Sequence, residues 1–171
     1  MNDQIKQQIL LLDQGHFEQW AGFEVEWTKK AVEESTDSKL NCNRYILSGT
    51  QLSRCVLPLK LQSQGLQCFI DDAGKISLLR LEDPRLESSD SIVNIFGEPE
   101  TKIALGYPDL YSPSVQWIYA SRGITLYVLD EKPGAAIPLV CAAFYNQSTV
   151  AGYLGELGGR DTKKYFDHQQ E

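Results

Sequence analysis

The segment LQCFIDDAGKISLLRL, from Leu66 to Leu81, contains the clearest β-hairpin signal in the chain. Two apolar runs, 66–70 and 75–81, flank the acidic turn 71–74. Gly74 can adopt the positive φ that tight turns of this kind require. The segment therefore predicts two antiparallel strands.

Further strand candidates lie on both sides of this hairpin. Phe23–Trp27 alternates apolar and acidic residues, which is the pattern of a half-buried strand with Glu24 and Glu26 facing water. Within the candidate at 52–62, Pro58 indicates the edge of a sheet. The remaining candidates are residues 44–48, 115–120, 124–129 and 137–145.

Four helices are predicted from apolar spacing and from residues that start or stop helices. The third is the best bounded, because Gly97 can end it and Pro99 prevents its continuation. The predicted helices cover residues 3–14, part of 28–38 before a loop, 88–96 and 148–157.

Together these elements predict an α+β fold of antiparallel β-meanders with helices packed on one face.

A sequence pattern recurs within the chain at an offset of 58 residues. Gly65 and Gly123 each open an apolar strand that precedes an acidic turn and a second strand. One interpretation is a single domain, 1–160, built from two βββα pseudo-repeats at about 43–97 and 101–159. The alternative is that any two hairpins look alike. Residues 161–171 form a polar tail.

The charge of the chain bears on its partners. The chain has 171 residues and a formal net charge of −7. Such a surface repels phosphate backbones and anionic lipid, so neither nucleic acid nor a membrane is an expected partner. A protein is the expected partner, and electrostatics favours a basic one. Without an apolar segment near the ~18 residues needed to cross a bilayer, and without a signal peptide, the sequence favours a cytoplasmic location.

The four cysteines, Cys42, Cys55, Cys68 and Cys141, form no C-x-x-C pair, which argues against zinc-ribbon and thioredoxin-like sites. The last three lie in apolar runs, so we predict buried free thiols that act as small hydrophobic side chains. The first three are spaced 13 residues apart, an interval that we attribute to coincidence.

One part of the chain resembles a known module. A helix leads into Phe96-Gly97-Glu98-Pro99, and after a variable loop come a strand with Trp117 and Tyr119, the Gly123 turn and an apolar strand. This arrangement, over about residues 88–129, resembles the helix-plus-meander module of the bacterial BamE/SmpA family. It is also similar to the tandem repeats of β-lactamase-inhibitory-protein-like inhibitors. The resemblance implies a protein-binding scaffold without an active site.

The sequence contains no motif that predicts catalysis, metal binding or a cofactor. The only histidines are His16 and His168, neither of which stands in a nucleophile or metal motif. The turn 71–74 lacks the alternating acidic residues and distal glutamate of a calcium loop. No catalytic residue, metal ligand or cofactor is therefore predicted.

The candidate binding residues are Tyr107, Asp109, Tyr111 and Trp117, in or beside the Gly- and Pro-containing loop 104–114. Tyrosine and tryptophan are enriched in binding hot spots, and loops often carry function. An alternative is that these rings seal the loop onto the core. The resulting prediction is a non-enzymatic protein-binding domain of inhibitor, immunity-protein or adaptor type. The alternative function is a β-barrel-like carrier of a small molecule, or an enzyme whose residues only the fold brings together.

Overall fold

The computed structural model describes residues 2–47, 50–61, 63, 65–84, 89–103, 114–129 and 139–158. Short 3-10 turns lie at Phe17–Gln19 and Ala120–Arg122, and a π-helical turn, Leu154–Gly158, extends the last helix. The remaining elements are α1 (Asn2–Asp13), α2 (Lys29–Thr36), β1 (Asn41–Leu47), β2 (Thr50–Leu57), β3 (Gly65–Ile70), β4 (Ile76–Glu82), α3 (Ser89–Phe96), β5 (Thr101–Ile103), β6 (Ser114–Tyr119), β7 (Ile124–Leu129), β8 (Leu139–Phe144) and α4 (Val150–Tyr153).

The strands form an eight-stranded sheet in the order β1-β2-β3-β4-β8-β7-β6-β5, with every neighbouring pair antiparallel. It consists of two four-stranded meanders whose last strands pair in the middle, where Leu79 lies opposite Phe144. This arrangement confirms the α+β class and the meanders. Because β1 and β5 lie at opposite ends, the described strands form an open sheet and not a barrel.

Both faces of the sheet are apolar in its centre, and helices cover both. Ile9 of α1, Val32 of α2 and Ile92 of α3 belong to the core cluster on the first face. On the second face, Tyr153 of α4 packs with Tyr145. The prediction that helices pack on one face is therefore right for α1–α3 and wrong for α4. The central strands are apolar at successive positions and therefore on both faces of the sheet. Each face has to be covered by other elements.

The β3–β4 hairpin is present as predicted. The Asp71 side chain accepts hydrogen bonds from the backbone N–H groups of Ala73 and Lys75, at 3.0 and 2.9 Å. Gly74 has a φ of 81°. This turn sets the register of β3 and β4, and β4 in turn pairs with β8 of the second meander.

Two strand predictions are wrong. Phe23–Trp27 is not a strand, although Glu24 and Glu26 are exposed as expected. Its aromatic rings pack with one another, with the Phe23 and Trp27 centroids 5.4 Å apart, so the alternation reflects burial and not sheet pairing. β2 is not an edge strand, because it pairs with β1 on one side and β3 on the other. Pro58 follows the strand and does not interrupt its pairing.

The N-terminal region is attached to the end of β8. The Trp20 indole N–H donates to the Tyr145 carbonyl at 3.0 Å, and the Phe23 backbone N–H donates to the Asn146 side chain at 2.9 Å. These bonds join residues more than 120 positions apart in the sequence.

In the described part of the chain, no helix combines the length and apolar character needed to cross a membrane.

Candidate functional site

The outer edge of β1 lies at one end of the sheet. Among the described strands, β1 pairs only with β2, which leaves the backbone donors and acceptors of its other edge without a strand partner. Side chains of this strand are largely exposed, including Asn43, Arg44 and Ile46. Ile46 is 62% exposed. We call β1 and β2 together the edge hairpin.

A row of arginine and aromatic side chains crosses the second face from this edge. The Arg54 guanidinium lies 4.9 Å from the centre of the Tyr45 ring, and that ring meets Phe69 edge-on at 5.4 Å. Arg80 lies 4.9 Å from the Phe69 ring centre on the far side of the row. Cation–π contacts place the guanidinium groups over the rings, so Arg54 lies close to β1.

The edge hairpin lies in a part of the chain that is entirely basic in its charged residues. No Asp or Glu occurs between Asp37 and Asp71, whereas Lys39, Arg44, Arg54 and Lys60 fall there. The rest of the chain has 12 Lys and Arg against 23 Asp and Glu. Neither Arg44 nor Arg54 has a carboxylate within ion-pair distance among the residues that the structure describes. The sequence interpretation missed this segment, although the 33-residue interval without an acidic residue is visible in the sequence.

Three cysteines lie in one row across β1, β2 and β3. Cys42 and Cys55 are directly opposite and form a disulfide, and Cys55 is also opposite Cys68. The prediction of a free Cys55 thiol is therefore wrong. The 13-residue interval is not a coincidence either, because it follows from the register of two successive hairpins. The disulfide fixes the edge strand to the rest of the sheet.

Cys68 and Cys141 are buried free thiols, as predicted. Burial raises the pKa of Cys68 to about 12, because the charged thiolate would lose its hydration. The same cause raises the pKa of Cys141. Both groups therefore remain neutral thiols at neutral pH, and they contribute to packing.

Buried tyrosines form a second polar cluster, beneath α4. The hydroxyls of Tyr127 and Tyr153 are 3.2 Å apart, and those of Thr125 and Tyr145 are 2.9 Å apart. Burial raises the pKa of all three tyrosines, so their hydroxyls stay neutral and can both donate and accept hydrogen bonds. These bonds satisfy polar atoms inside the protein. We assign the cluster a structural role.

Of the predicted binding residues, the structure describes only Trp117. It lies in β6 and is 2% exposed, with the Lys102 ammonium 4.3 Å from its ring centre. The structure thus places Trp117 in the core of the first face. Tyr107, Asp109 and Tyr111 lie outside the described residues.

An open depression of about 370 Å³ lies at the end of α2. Two ion pairs occupy its wall, with Lys30 3.7 Å from Glu34 and Lys39 3.9 Å from Glu33. Its lining is charged and not aromatic, so it does not match the enclosed pocket expected of a carrier. Within the described ranges, no group of three His, Cys, Asp or Glu side chains could hold a metal ion.

Comparison with known proteins gives no assignment. No protein-family model, curated protein or solved structure matches this chain. The resemblance of residues 88–129 to the BamE/SmpA module therefore stays a prediction, and the edge hairpin is the candidate site that the structure itself provides.

Proposed function

We propose that this protein is a non-enzymatic protein-binding domain of inhibitor, immunity-protein or adaptor type that binds its partner along β1. The observation that carries the proposal is the outer edge of this seven-residue strand, which has no strand partner in the part of the chain that the structure describes. An exposed edge is a template onto which an extended segment of another protein can add as a further strand. Seven residues span about 23 Å, which is long enough for such an addition.

The side chains of β1 support the same use. Ile46 exposes most of its apolar surface beside the edge, where burial by a partner would be favourable. The Cys42–Cys55 disulfide fixes the strand before the partner arrives. Less conformational entropy is then lost on binding, since β1 is already held in its extended conformation.

The two meanders are proposed to be related units. Gly65 opens the third strand of the first meander, and Gly123 precedes the third strand of the second. In both, the fourth strand follows and a helix comes after it, α3 in one case and α4 in the other. Each unit thus contains four strands and a helix, one strand more than the predicted βββα unit. This common order supports a duplication, as in the tandem-repeat inhibitors that residues 88–129 resemble.

The location of the protein is a separate proposal. The sequence favours the cytoplasm, whereas a structural disulfide is typical of oxidising compartments. Alkylation of free thiols in intact cells, followed by mass spectrometry, distinguishes the two locations. Oxidised Cys42 and Cys55 would support an oxidising compartment, and alkylated Cys42 and Cys55 would support the cytoplasm.

The binding proposal is tested by affinity purification from the native host, with mass spectrometry and sizing. We expect a stoichiometric partner that co-purifies with the wild-type protein and is lost with Ile46→Asp. The matched control is Ile95→Asp, which changes an exposed isoleucine of α3 and should retain the partner. Absence of any stoichiometric partner, or equal retention by both variants, would contradict the proposal and direct attention to small-molecule ligands.

A further inference from the structure

We infer that the edge hairpin recognises an extended acidic segment of a partner protein, which adds to β1 and places carboxylates at Arg44 and Arg54. This inference rests on the proposed protein-binding function, and it specifies the chemistry of the partner and its mode of binding.

The local charge decides the sign of the partner at this edge. The chain as a whole is acidic, but residues 38–70 contain four basic residues and no acidic one. Electrostatic interactions between exposed charges are screened over about 8–10 Å at physiological salt. Neighbouring strands are only about 4.8 Å apart, so an added strand interacts mainly with the edge hairpin. At the start of β1, Glu33 accepts a hydrogen bond from the Leu40 backbone N–H at 2.9 Å and pairs with Lys39, so the charges there offset each other. Within the edge hairpin itself the charged side chains are Arg44 and Arg54, so an added strand meets positive charge along the middle of β1, although the net charge of the protein is −7.

The two arginines lie on opposite faces of the sheet. Arg44 is opposite Ser53, on the face of the disulfide, whereas Arg54 is opposite Asn43 and lies over Tyr45 on the other face. Successive side chains of a strand also point to opposite faces. Two consecutive acidic residues in the added strand would therefore place one carboxylate near each arginine.

Arg54 is arranged to accept such a carboxylate. Its guanidinium lies on the Tyr45 ring, and stacking of this kind leaves the N–H donors at the rim of the group available. An arginine can bind a carboxylate through two parallel hydrogen bonds. The Tyr45 contact holds the guanidinium toward the edge, so less side-chain entropy is lost when the carboxylate binds.

A second copy of this chain fits the edge less well. Arg44 is the middle residue of β1. Full antiparallel pairing of two β1 strands about a two-fold axis would bring the two Arg44 side chains opposite each other. Like charges directly opposite in a sheet are destabilising. The charge at the centre of the strand thus disfavours self-association and leaves the edge open to an acidic strand.

The test is a titration of the full-length protein with labelled nine-residue peptides rich in Val and Thr. One peptide carries a central Glu-Asp pair, and its control carries Lys-Lys at the same positions. We expect the acidic peptide to bind and to protect the β1 amides from hydrogen exchange. Arg44→Glu and Arg54→Glu should each weaken binding about tenfold, through loss of a charge-assisted contact. The double variant should bind the Lys-Lys peptide instead.

One control variant separates this inference from a general effect of charge. A comparison of variants with the native partner separates it from the proposed function. Lys60→Glu makes the same charge change in the basic segment outside the edge hairpin and should leave peptide binding unchanged. Failure of the acidic peptide to bind, or equal binding by the Arg44→Glu variant, overturns the inference. So does concentration-dependent dimerisation, or tighter binding of single-stranded nucleic acid. If the native partner is lost with Ile46→Asp but retained by Arg44→Glu and Arg54→Glu, the proposed function stands and the acidic specificity fails.

Discussion

At Gly123 the chain passes so close to the end of β8 that a side chain cannot be accommodated. Its φ is 71°, and a Cβ atom there would overlap the carbonyl oxygen of Tyr145. The same Gly123 accepts a hydrogen bond from the Tyr145 backbone N–H at 2.9 Å through its own carbonyl. The close approach thus fixes the turn before β7 against the strand that follows it in the sheet.

We expect Gly123→Ala to lower the free energy of unfolding by about 3 kcal/mol or more, since backbone strain and overlap add. Gly74→Ala is the matched control, because Gly74 also has a positive φ but a Cβ there would have empty space. It should cost about 1 kcal/mol, from the backbone alone. Urea unfolding measures both values. Equal costs would show that the contact with Tyr145 is not tight.

Tyr119 makes the stability depend on pH in the alkaline range. Burial of its hydroxyl, together with the charge of Glu98, raises its pKa to about 12, although Arg122 opposes the shift. The unfolded chain loses this proton near pH 10 and the folded chain only near pH 12. The contribution of Tyr119 to stability is therefore complete below pH 10 and is lost as the pH rises toward 12.

Tyr119→Phe should remove part of this alkaline fall, while Tyr127, Tyr145 and Tyr153, whose pKa values burial also raises, retain the rest. The variant also loses the hydrogen bond from the Tyr119 hydroxyl to the Gly97 carbonyl, which should cost about 1 kcal/mol at neutral pH. Denaturant unfolding at pH 7, 10 and 11.5 separates the two effects. Parallel pH profiles for the variant and the wild-type protein would count against a raised pKa.

The stability of β1 depends on a covalent link to β2. The Cys42–Cys55 disulfide joins residues 13 positions apart, and a closed loop of this length stabilises a protein by about 2–3 kcal/mol in the chain-entropy description. We expect reduction to lower the unfolding free energy by that amount and to increase hydrogen exchange first in β1. A Cys42→Ala/Cys55→Ala variant is the control and should not respond to reductant. Unchanged exchange in β1 after reduction would contradict this prediction.

Most elements were predicted from the sequence because their signals are local. The β3–β4 hairpin, α3 and β7 each have a turn or a glycine that marks their ends. The strand prediction for Phe23–Trp27 was wrong because an alternating pattern shows which side chains are buried and does not show what pairs with the backbone. Pro58 was misinterpreted because strand order depends on long-range pairing.

The site was harder to predict than the fold. The hypothesis about Tyr107, Asp109, Tyr111 and Trp117 relied on residue type, and Trp117 turned out to be buried. The edge hairpin becomes a candidate only when the strand order leaves β1 at the end of the sheet. No local pattern near β1 shows that β4 pairs with β8 and that β1 has no second neighbour among the described strands. The interval without acidic residues is visible in the sequence, but its position in the fold can be assigned only once the strand order is known.

At the scale of the whole molecule, the two meanders are expected to unfold together. Segments 17–23 and 145–146 are joined by hydrogen bonds, and the core cluster of the first face takes side chains from both meanders. Native-state hydrogen exchange should therefore give the same opening free energy for the slowest amides of β3 and β7. A lower value for one strand would show that its meander opens independently.

The pairing of β4 with β8 also has a consequence for synthesis. Leu79 lies opposite Phe144, which is made 65 residues later. At translation rates of about 5–20 residues per second, β4 leaves the ribosome roughly 3–13 s before its second neighbour does. During that time the strand that will form the centre of the sheet is an open edge, rich in leucine and prone to pair with other chains. The nascent chain is therefore expected to need shielding at β4, by a chaperone or by the ribosome surface, until β8 is available.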